Sequence, residues 1–382
     1  MTRPSHAHRV LLFAASVALG ACAHVPRSAN DAVPFAPLAR PSHFWVKWPH
    51  GAMYEGDVNI PVPLFSRTRL LTNPEHELAG KLGCPNTPLG TAVRALAQTS
   101  GSDSQPEIHA TGCTITFTPH FVIRQLSGGS APVQTPTFNP GLEYTRFDLR
   151  LEDSARAVAR HTARGGPVRT ATLSASHFRF AHYSNGQSGC LYTNQMGESC
   201  STDPTQPERL NTVDGSFSTH YLETGISIGR VHYDADGAER RVTAGTTALR
   251  WNFPGFADEG GMSPELARNY GRWSVSGGLS TRIRSGKSWL FGWRMVTTLS
   301  VEGECAFQRP DAYQPCRVSG GGALTFPAVH GAGVALRWVD GWDYYNVGFG
   351  DRMRNSGGWR PMLGIVIDHS IPMRIHRDAP YR

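Results

Sequence analysis

The run Phe-Arg-Phe-Ala-His-Tyr-Ser-Asn-Gly at 178–186 holds the residues of this sequence best suited to covalent chemistry. His182 and Ser184 are two positions apart, so on a β-strand they share a face, with Cβ atoms about 6.5–7 Å apart. At that separation an imidazole and a hydroxyl can lean together and form a hydrogen bond. A serine hydroxyl is a weak nucleophile until an adjacent base takes its proton. The spacing therefore predicts acyl transfer, with Ser184 as nucleophile and His182 as general base.

A glycine just beyond this pair could serve the same reaction. An acyl-transfer transition state needs N–H donors at its developing oxyanion. Gly186 lets the backbone turn and present its N–H with no side chain in the way. We therefore expect Gly186 to be an oxyanion donor.

The neighbours of the pair predict the direction in which it faces. Phe178 and Phe180 share its face of the strand, whereas Arg179 lies on the opposite face. Phenylalanines on one side and an arginine on the other are typical of a barrel wall between lipid and a polar lumen. The pair is then predicted to lie on the exterior, at the lipid–water boundary, which suits an enzyme whose substrate is the surrounding lipid.

A third residue should orient the imidazole, and the next predicted strand, 215–233, is the place to seek it. Glu223 is expected to face inward, opposite Arg179. Counting back by twos along the outward face gives His220, Ser218, Ser216 and Asp214. Asp214 is the carboxylate of this set, and we predict that it lies near the level of His182 and orients it. The alternatives are Asn211 in the loop and, as weaker orienters, Ser216 and Ser218.

Alternation of apolar and polar residues predicts the strands that position these groups, from about residue 114 onward. On the segment 273–283, one face carries Trp273, Val275, Leu279 and Ile283, and the other carries Ser274, Ser276, Ser280 and Arg282. The segment 142–151 likewise alternates, with Phe147, Leu149 and Leu151 on one face and Arg146, Asp148 and Arg150 on the other. The inward residues Arg179, Glu223, Arg250 and Arg282 are expected to form an ion-pair network in the lumen.

The connections between strands indicate the topology. Tight turns are predicted at 234–237, 285–287 and 327–330, and long loops at 187–214, 254–271, 304–316 and 346–359. A β-sandwich has no reason to sort its loops by length, whereas short periplasmic turns and long external loops are typical of transmembrane barrels. We therefore predict an all-β fold, a transmembrane antiparallel β-barrel of about ten to twelve strands, an even number being the rule.

The N-terminus resembles an export signal. Arg3 and Arg9 are followed by the apolar segment 10–19, which is too short to span a bilayer as a helix. Leu-Gly-Ala-Cys at 19–22 fits a lipobox that would place a lipid on Cys22. Ala-Cys-Ala at 21–23 also fits the small-x-small pattern of an ordinary signal-peptidase site. Either cleavage takes the chain out of the cytoplasm.

The remaining sequence divides by composition into four parts. Residues 24–50 are rich in Pro, Ala and Ser and are predicted to be a tether, after a signal at 1–23. Residues 51–113 are an N-terminal portion that adds strands or a periplasmic piece. The barrel is predicted over 114–372, with the catalytic strand at 171–186, and a C-terminal tail over 373–382.

The cysteines and the charge agree with an exported barrel. Beyond Cys22, six of the seven cysteines fall into near neighbours, which predicts three disulfides: Cys84 with Cys113, Cys190 with Cys200 and Cys305 with Cys316. No Cys/His spacing resembles a zinc site. The net charge of +7 comes without any block of Lys and Arg, so it suggests attraction to anionic lipid and excludes nucleic acid as a partner.

The motif at 182–186 resembles that of the outer-membrane phospholipase A family, His-x-Ser-Asn-Gly at a strand end facing a loop. The run Thr-Phe-Asn-Pro-Gly-Leu at 137–142 is similar to the strand that precedes the family's catalytic strand. Gly-Trp-Asp-Tyr-Tyr-Asn at 341–346, followed by 362–367, is similar to its closing strands. The resemblance covers about 115–370. It implies a twelve-stranded barrel with Ser184 as nucleophile, His182 as base and Gly186 as an oxyanion donor.

The same resemblance implies calcium at the loop after the catalytic strand and an active homodimer. Asp203 and Glu198 are carboxylates of that loop that could bind calcium. The family's calcium loop is short, whereas here the loop is long and carries Cys190 and Cys200. The family's third catalytic residue is an Asn early on the next strand, whereas this strand begins Gly-Ser-Phe-Ser at 215–218.

The function expected from these patterns is an outer-membrane phospholipase that hydrolyses acyl esters of membrane glycerophospholipids near the external leaflet. The His-Tyr-Ser-Asn run also resembles the smaller lipid A 3-O-deacylase barrels, which use a Glu as orienter, so a lipid A deacylase is one alternative. A non-catalytic barrel, structural or pore-forming, is the alternative from another class.

Overall fold

A computed structural model describes the strands of this chain and short segments beside them. The described residues are 42–47, 53–70, 87–89, 108–125, 133–151, 169–185, 192–193, 209–210, 216, 218–233, 239–254, 267, 271–287, 294–307, 316–329, 331–340 and 360–367. No helix within these ranges is long and apolar enough to cross a membrane.

The described chain is nearly all β. Its strands are β1 (Ser42–Lys47), β2 (Met53–Asn59), β3 (Val62–Leu70), β4 (Ile108–Thr118), β5 (His120–Gln125), β6 (Val133–Phe138), β7 (Gly141–Leu151), β8 (Arg169–Ser184), β9 (Tyr192–Thr193), β10 (Arg209–Leu210), β11 (Ser218–Tyr233), β12 (Glu239–Asn252), β13 (Trp273–Lys287), β14 (Arg294–Phe307), β15 (Cys316–Phe326), β16 (Ala332–Asp340) and β17 (Arg360–Ile367). A short 3₁₀ turn, Pro327–Val329, separates β15 from β16.

The strands close into a 12-strand antiparallel barrel. The pairs β2–β3, β4–β5 and β6–β7 each follow one another with only a one- or two-residue break, and each pair forms a single wall strand. The ring closes where the last strand, β17, pairs with the first, β1. Strand β8 pairs with β11, the next wall strand along the chain. Closure satisfies the backbone groups that an edge strand would leave unpaired.

Alternation along β13 separates an apolar exterior from a polar interior, as the sequence predicts. Leu279 is 68% exposed on the outer face, whereas Ser274 is 3% exposed on the inner face. The same outer surface continues around the barrel through Leu142, Phe180, Ile228, Leu299, Val301, Val334, Leu336, Leu363 and Ile365, all exposed. The interior holds a cavity of about 460 Å³ lined largely by polar and charged side chains.

One sector of the outer wall differs from this apolar surface. The register of β7 with β8 turns Phe147 inward, where it is buried, and turns Arg146 and Asp148 outward. Both outward charged side chains are nevertheless buried, at 5% and 6% exposure, as is Cys113 beside Arg146 on β4. The predicted alternation of this segment is therefore correct, but its outward face is not open to solvent.

The N-terminal strands revise the predicted boundaries. Ser42–Lys47 falls within the segment predicted to be a tether, yet it forms β1 and pairs with both β17 and β2. Strands β2, β3 and the first part of β4 lie in the portion 51–113 and belong to the barrel wall. Composition misled here because six residues of alternating pattern are too few to stand out in a Pro- and Ala-rich region.

The predicted sorting of connections by length holds only from β8 onward. There the turn 327–330 is found where expected, and a short connection also follows β11. The prediction for 285–287 is wrong, because β13 continues through Lys287. In the N-terminal half, the long connections 71–107 and 152–168 leave from the same barrel end as the short turns.

The disulfide predicted between Cys305 and Cys316 is confirmed. Its cysteines are directly opposed on β14 and β15, so the predicted loop 304–316 is wrong at both ends and the strands extend to the bridge. Cys113 is also disulfide-bonded. Cys22, Cys84, Cys190 and Cys200 lie outside the described residues.

Candidate active site

The predicted catalytic residues lie at the end of β8. His182 and Ser184 are on its outer face, in the same alternation as Phe180, which is 46% exposed. Arg179 is buried on the inner face. The strand ends at Ser184, two residues before the predicted end, so the hydroxyl lies at the rim of the barrel wall.

The cross-strand register places specific partners beside these two residues. On β11, Ser218 is opposite Ser184, His220 is opposite His182, and Glu223 is opposite Arg179. The inward placement of Glu223 opposite Arg179 is thus confirmed. The described residue level with His182 is His220, and the predicted position of Asp214 lies outside the described residues.

The two histidines are in direct contact. Their ring centroids are 4.7 Å apart and the ring planes are tilted by 56°. The backbone of His182 is fixed from its other side, because its N–H donates to the Pro140 carbonyl at 3.0 Å. Among the described residues, the ring of His182 contacts the ring of His220. The hydrogen bond between a catalytic serine and its base often tightens only with substrate bound.

An aromatic surface surrounds the imidazoles on the exterior. Phe180 is stacked on His220, with centroids 5.9 Å apart and planes 11° apart, and lies 6.2 Å from Phe253. Phe253 in turn packs against Trp251 at 4.6 Å. On the other side of β8, Phe138 is directly opposite Ser184 and is largely exposed. Ser184 and His182 therefore lie in largely apolar surroundings.

A polar network on the lumen side braces the same strands. Tyr221 Oη donates to Asn139 Oδ1 at 2.9 Å, and Arg179 Nη2 donates to the Asn139 carbonyl at 3.2 Å. The Asn139 N–H donates to the His120 carbonyl at 2.7 Å. These bonds fix the break between β6 and β7, next to the Pro140 carbonyl that accepts from His182.

The ion pairs predicted in the lumen are found for Arg250 with Glu223 and for Arg282, whereas Arg179 donates a hydrogen bond to the Asn139 carbonyl. Arg250 Nη2 is 2.8 Å from a Glu223 carboxylate oxygen, and its Nη1 is 3.3 Å from Glu304. The Arg250 guanidinium also lies over the Tyr221 ring, 4.5 Å from its centroid. A second pair joins Arg282 to Glu239 at 2.6 Å. Each of these buried charges is therefore compensated.

Several predicted site residues lie outside the described part of the chain. These are Gly186, Asn211, Asp214 and the candidate calcium ligands Glu198 and Asp203. Within the described ranges there is no group of three or more His, Cys, Asp or Glu residues that could hold a metal ion. Ser216 is described and is partly buried, two residues before β11 begins.

Sequence reasoning named His220 as an outward residue but gave it no role. The available signal was its parity, which put an imidazole on the face of the catalytic pair. A carboxylate is the more usual partner of a catalytic imidazole, so the sequence favoured Asp214 over His220 as orienter. His220 is the residue that the structure adds to the candidate site.

Fold and site together define a closed barrel whose exterior carries Ser184, Ser218 and two histidines at its rim. No protein-family model, no curated protein and no solved structure matches the chain.

Proposed function

We propose that this protein is an outer-membrane carboxylic ester hydrolase that cleaves acyl esters of glycerophospholipids at Ser184 and His182. The observation that carries the proposal is the position of the two side chains on the apolar exterior of the barrel, at the end of β8. A phospholipid of the surrounding leaflet presents its esters near the boundary between acyl chains and headgroups. A serine on the outer rim would meet that ester without the lipid leaving the membrane.

The membrane location is supported by the distribution of side chains over the barrel. The exterior carries exposed leucines, isoleucines and valines on strand after strand, while buried ion pairs occupy the interior. In water such an exterior would be a large apolar patch, whereas in a bilayer it is the expected surface. The site lies at the barrel end that carries the connections 185–217, 253–272 and 341–359, which we assign to the outside of the cell.

The reaction follows from the chemistry of the pair. Ser184 Oγ attacks the ester carbonyl carbon while its proton passes to the neutral ring of His182. The tetrahedral intermediate collapses, the lysophospholipid alcohol leaves with that proton, and an acyl-serine remains. Water then attacks the acyl-serine with His182 again as base, and a fatty acid is released.

Two further roles are implied by the family resemblance. Gly186 would donate its N–H to the oxyanion, and calcium would lie in the loop after β8, where it could help to stabilise that charge. The proposed steps use only the chain's own groups. Activity as a homodimer likewise stays a prediction from resemblance.

The experiment is lipid analysis with purified protein folded in detergent. Incubation with phosphatidylethanolamine should release fatty acid and lysophospholipid, and Ser184→Ala should abolish the release. Ser174→Ala is the matched control, because Ser174 is an outward serine of the same strand, far from the rim, opposite Ile228. A parallel incubation with lipopolysaccharide tests the deacylase alternative. Release from lipopolysaccharide alone would replace the substrate, and release from neither lipid would favour a non-catalytic barrel.

A further inference from the structure

We propose that His220 is the positioning residue that orients His182, so that the site is a serine with two histidines and no required carboxylate. This inference rests on the proposed ester hydrolysis. The two residues are directly opposed across β8 and β11, and their ring centroids are 4.7 Å apart. Asp214 precedes His220 by six residues in the sequence.

His220 is itself held in place by three contacts. Its ring stacks on Phe180, its carbonyl accepts the Phe253 N–H at 2.9 Å, and its backbone is part of the long β8–β11 ladder. A residue that orients a base must have few conformations of its own, because its freedom would pass to the base. His220 satisfies this requirement on all three counts.

A neutral imidazole can do what a triad requires of its third member. When Ser184 Oγ bonds to the acyl carbon, its proton moves to one ring nitrogen of His182. The other ring nitrogen of His182 then carries an N–H that needs an acceptor, and a neutral His220 offers one lone pair. The bond fixes the tautomer and stabilises the imidazolium. The proton on His182 later goes to the leaving alcohol, so no proton is gained or lost by His220.

The surroundings favour a neutral orienter over a charged one. On the exterior, Phe180 stacks on His220, Phe253 lies beside Phe180, Trp251 packs against Phe253, and Phe138 of β6 lies beside Ser184. On β7, β8, β11 and β12, the charged residues nearest this level in the described chain are Glu143, Arg179, Glu223 and Arg250, and all of them lie on the inner face. A buried carboxylate on the exterior would lack compensation there.

The test compares His220→Ala and His220→Asn with the parent, all folded in detergent with phosphatidylethanolamine as substrate. His220→Ala should lower kcat by about 10²-fold or more, as the loss of an orienting residue does elsewhere. His220→Asn keeps a neutral acceptor, so it should recover most of that loss, whereas a merely structural role of His220 would give no such recovery. His232→Ala is the matched control, because His232 is an outward histidine at the far end of the same strand; it should change kcat by less than about twofold.

The outcomes separate this inference from the proposed function. If the parent and Ser174→Ala release no fatty acid, the proposed function fails and the inference fails with it. If the parent is active and Ser184→Ala is not, but His220→Ala stays within a few-fold of the parent, the inference alone is overturned. A collapse in Asp214→Ala with His220→Ala unaffected would identify the carboxylate as orienter. If His220→Ala does not fold, the rate of His220→Asn decides: a rate near that of the parent supports the inference, and a loss of about 10²-fold overturns it.

Discussion

The hydroxyl of Tyr221 donates a hydrogen bond to Asn139 Oδ1 at 2.9 Å, on the lumen side of the strands whose outer faces carry the two histidines. Both residues are nearly fully buried. The bond joins β11 to the break between β6 and β7. Strand β11 lies on one side of β8, and β6 and β7 lie on its other side. The geometry of the exterior site is therefore set in part from inside the barrel.

Removal of this hydroxyl should destabilise the barrel. Tyr221→Phe leaves the Asn139 amide oxygen buried and unpaired, which costs about 1–3 kcal/mol of unfolding free energy. Urea unfolding in detergent, compared with the parent, measures this loss of unfolding free energy. Tyr233→Phe is the matched control, because Tyr233 is an equally buried inward tyrosine of β11 whose hydroxyl has no hydrogen-bond partner among the described residues. That variant should be as stable as the parent or more so, and equal losses in both would contradict the assignment.

The Arg250 ion pairs should be the most sensitive interaction of the lumen. Arg250→Met leaves Glu223 and Glu304 without their shared cation, and breaking a buried pair costs about 3–5 kcal/mol. The unfolding midpoint of the variant in urea should fall accordingly. Addition of Glu223→Gln to Arg250→Met removes one uncompensated charge and should restore part of the loss. A double variant less stable than Arg250→Met would show that the charges do not act as a network.

The apolar exterior can be tested at neighbouring positions of β13. Leu279→Arg places a charge on the outer face and should lower stability in a bilayer by about 2–4 kcal/mol if that face meets the acyl chains. Ser280→Arg places the same charge in the lumen, where its side chain lines the cavity, and should fold into vesicles like the parent. Equal folding yields of the two variants into lipid vesicles would contradict a membrane-spanning wall.

The bridge between Cys305 and Cys316 should stabilise the end of the β14–β15 hairpin. Closing a loop of this size contributes about 2–3 kcal/mol by restricting the unfolded chain. Cys305→Ser with Cys316→Ser should lower the unfolding free energy by that amount. Peptide mapping without reduction should also find the predicted links of Cys84 to Cys113 and Cys190 to Cys200. A disulfide from Cys190 or Cys200 to Cys305 or Cys316 would contradict both the predicted pairing and the confirmed bridge.

Alternation alone determined which side chains of a strand share a face, although on β7 the charged face is the outer one. On β13, Leu279 was predicted outside and Ser280 inside, and the structure agrees. The same rule placed His182 and Ser184 together on the exterior. This part was predictable because the side-chain period of a strand is two whatever its partners, and because an apolar exterior and a polar lumen enforce that period.

The register between neighbouring strands was decided only by the tertiary structure. A shift of the pairing by two residues keeps every side chain on its own face, so the pattern that fixed the faces carried no information on such shifts. For that reason parity grouped Asp214 and His220 together, and the β8–β11 register was needed to place His220 beside His182. The closing strand β1 was hidden for a related reason. Its six residues form a strand because β17 and β2 lie on either side of them, and β17 is at the other end of the sequence.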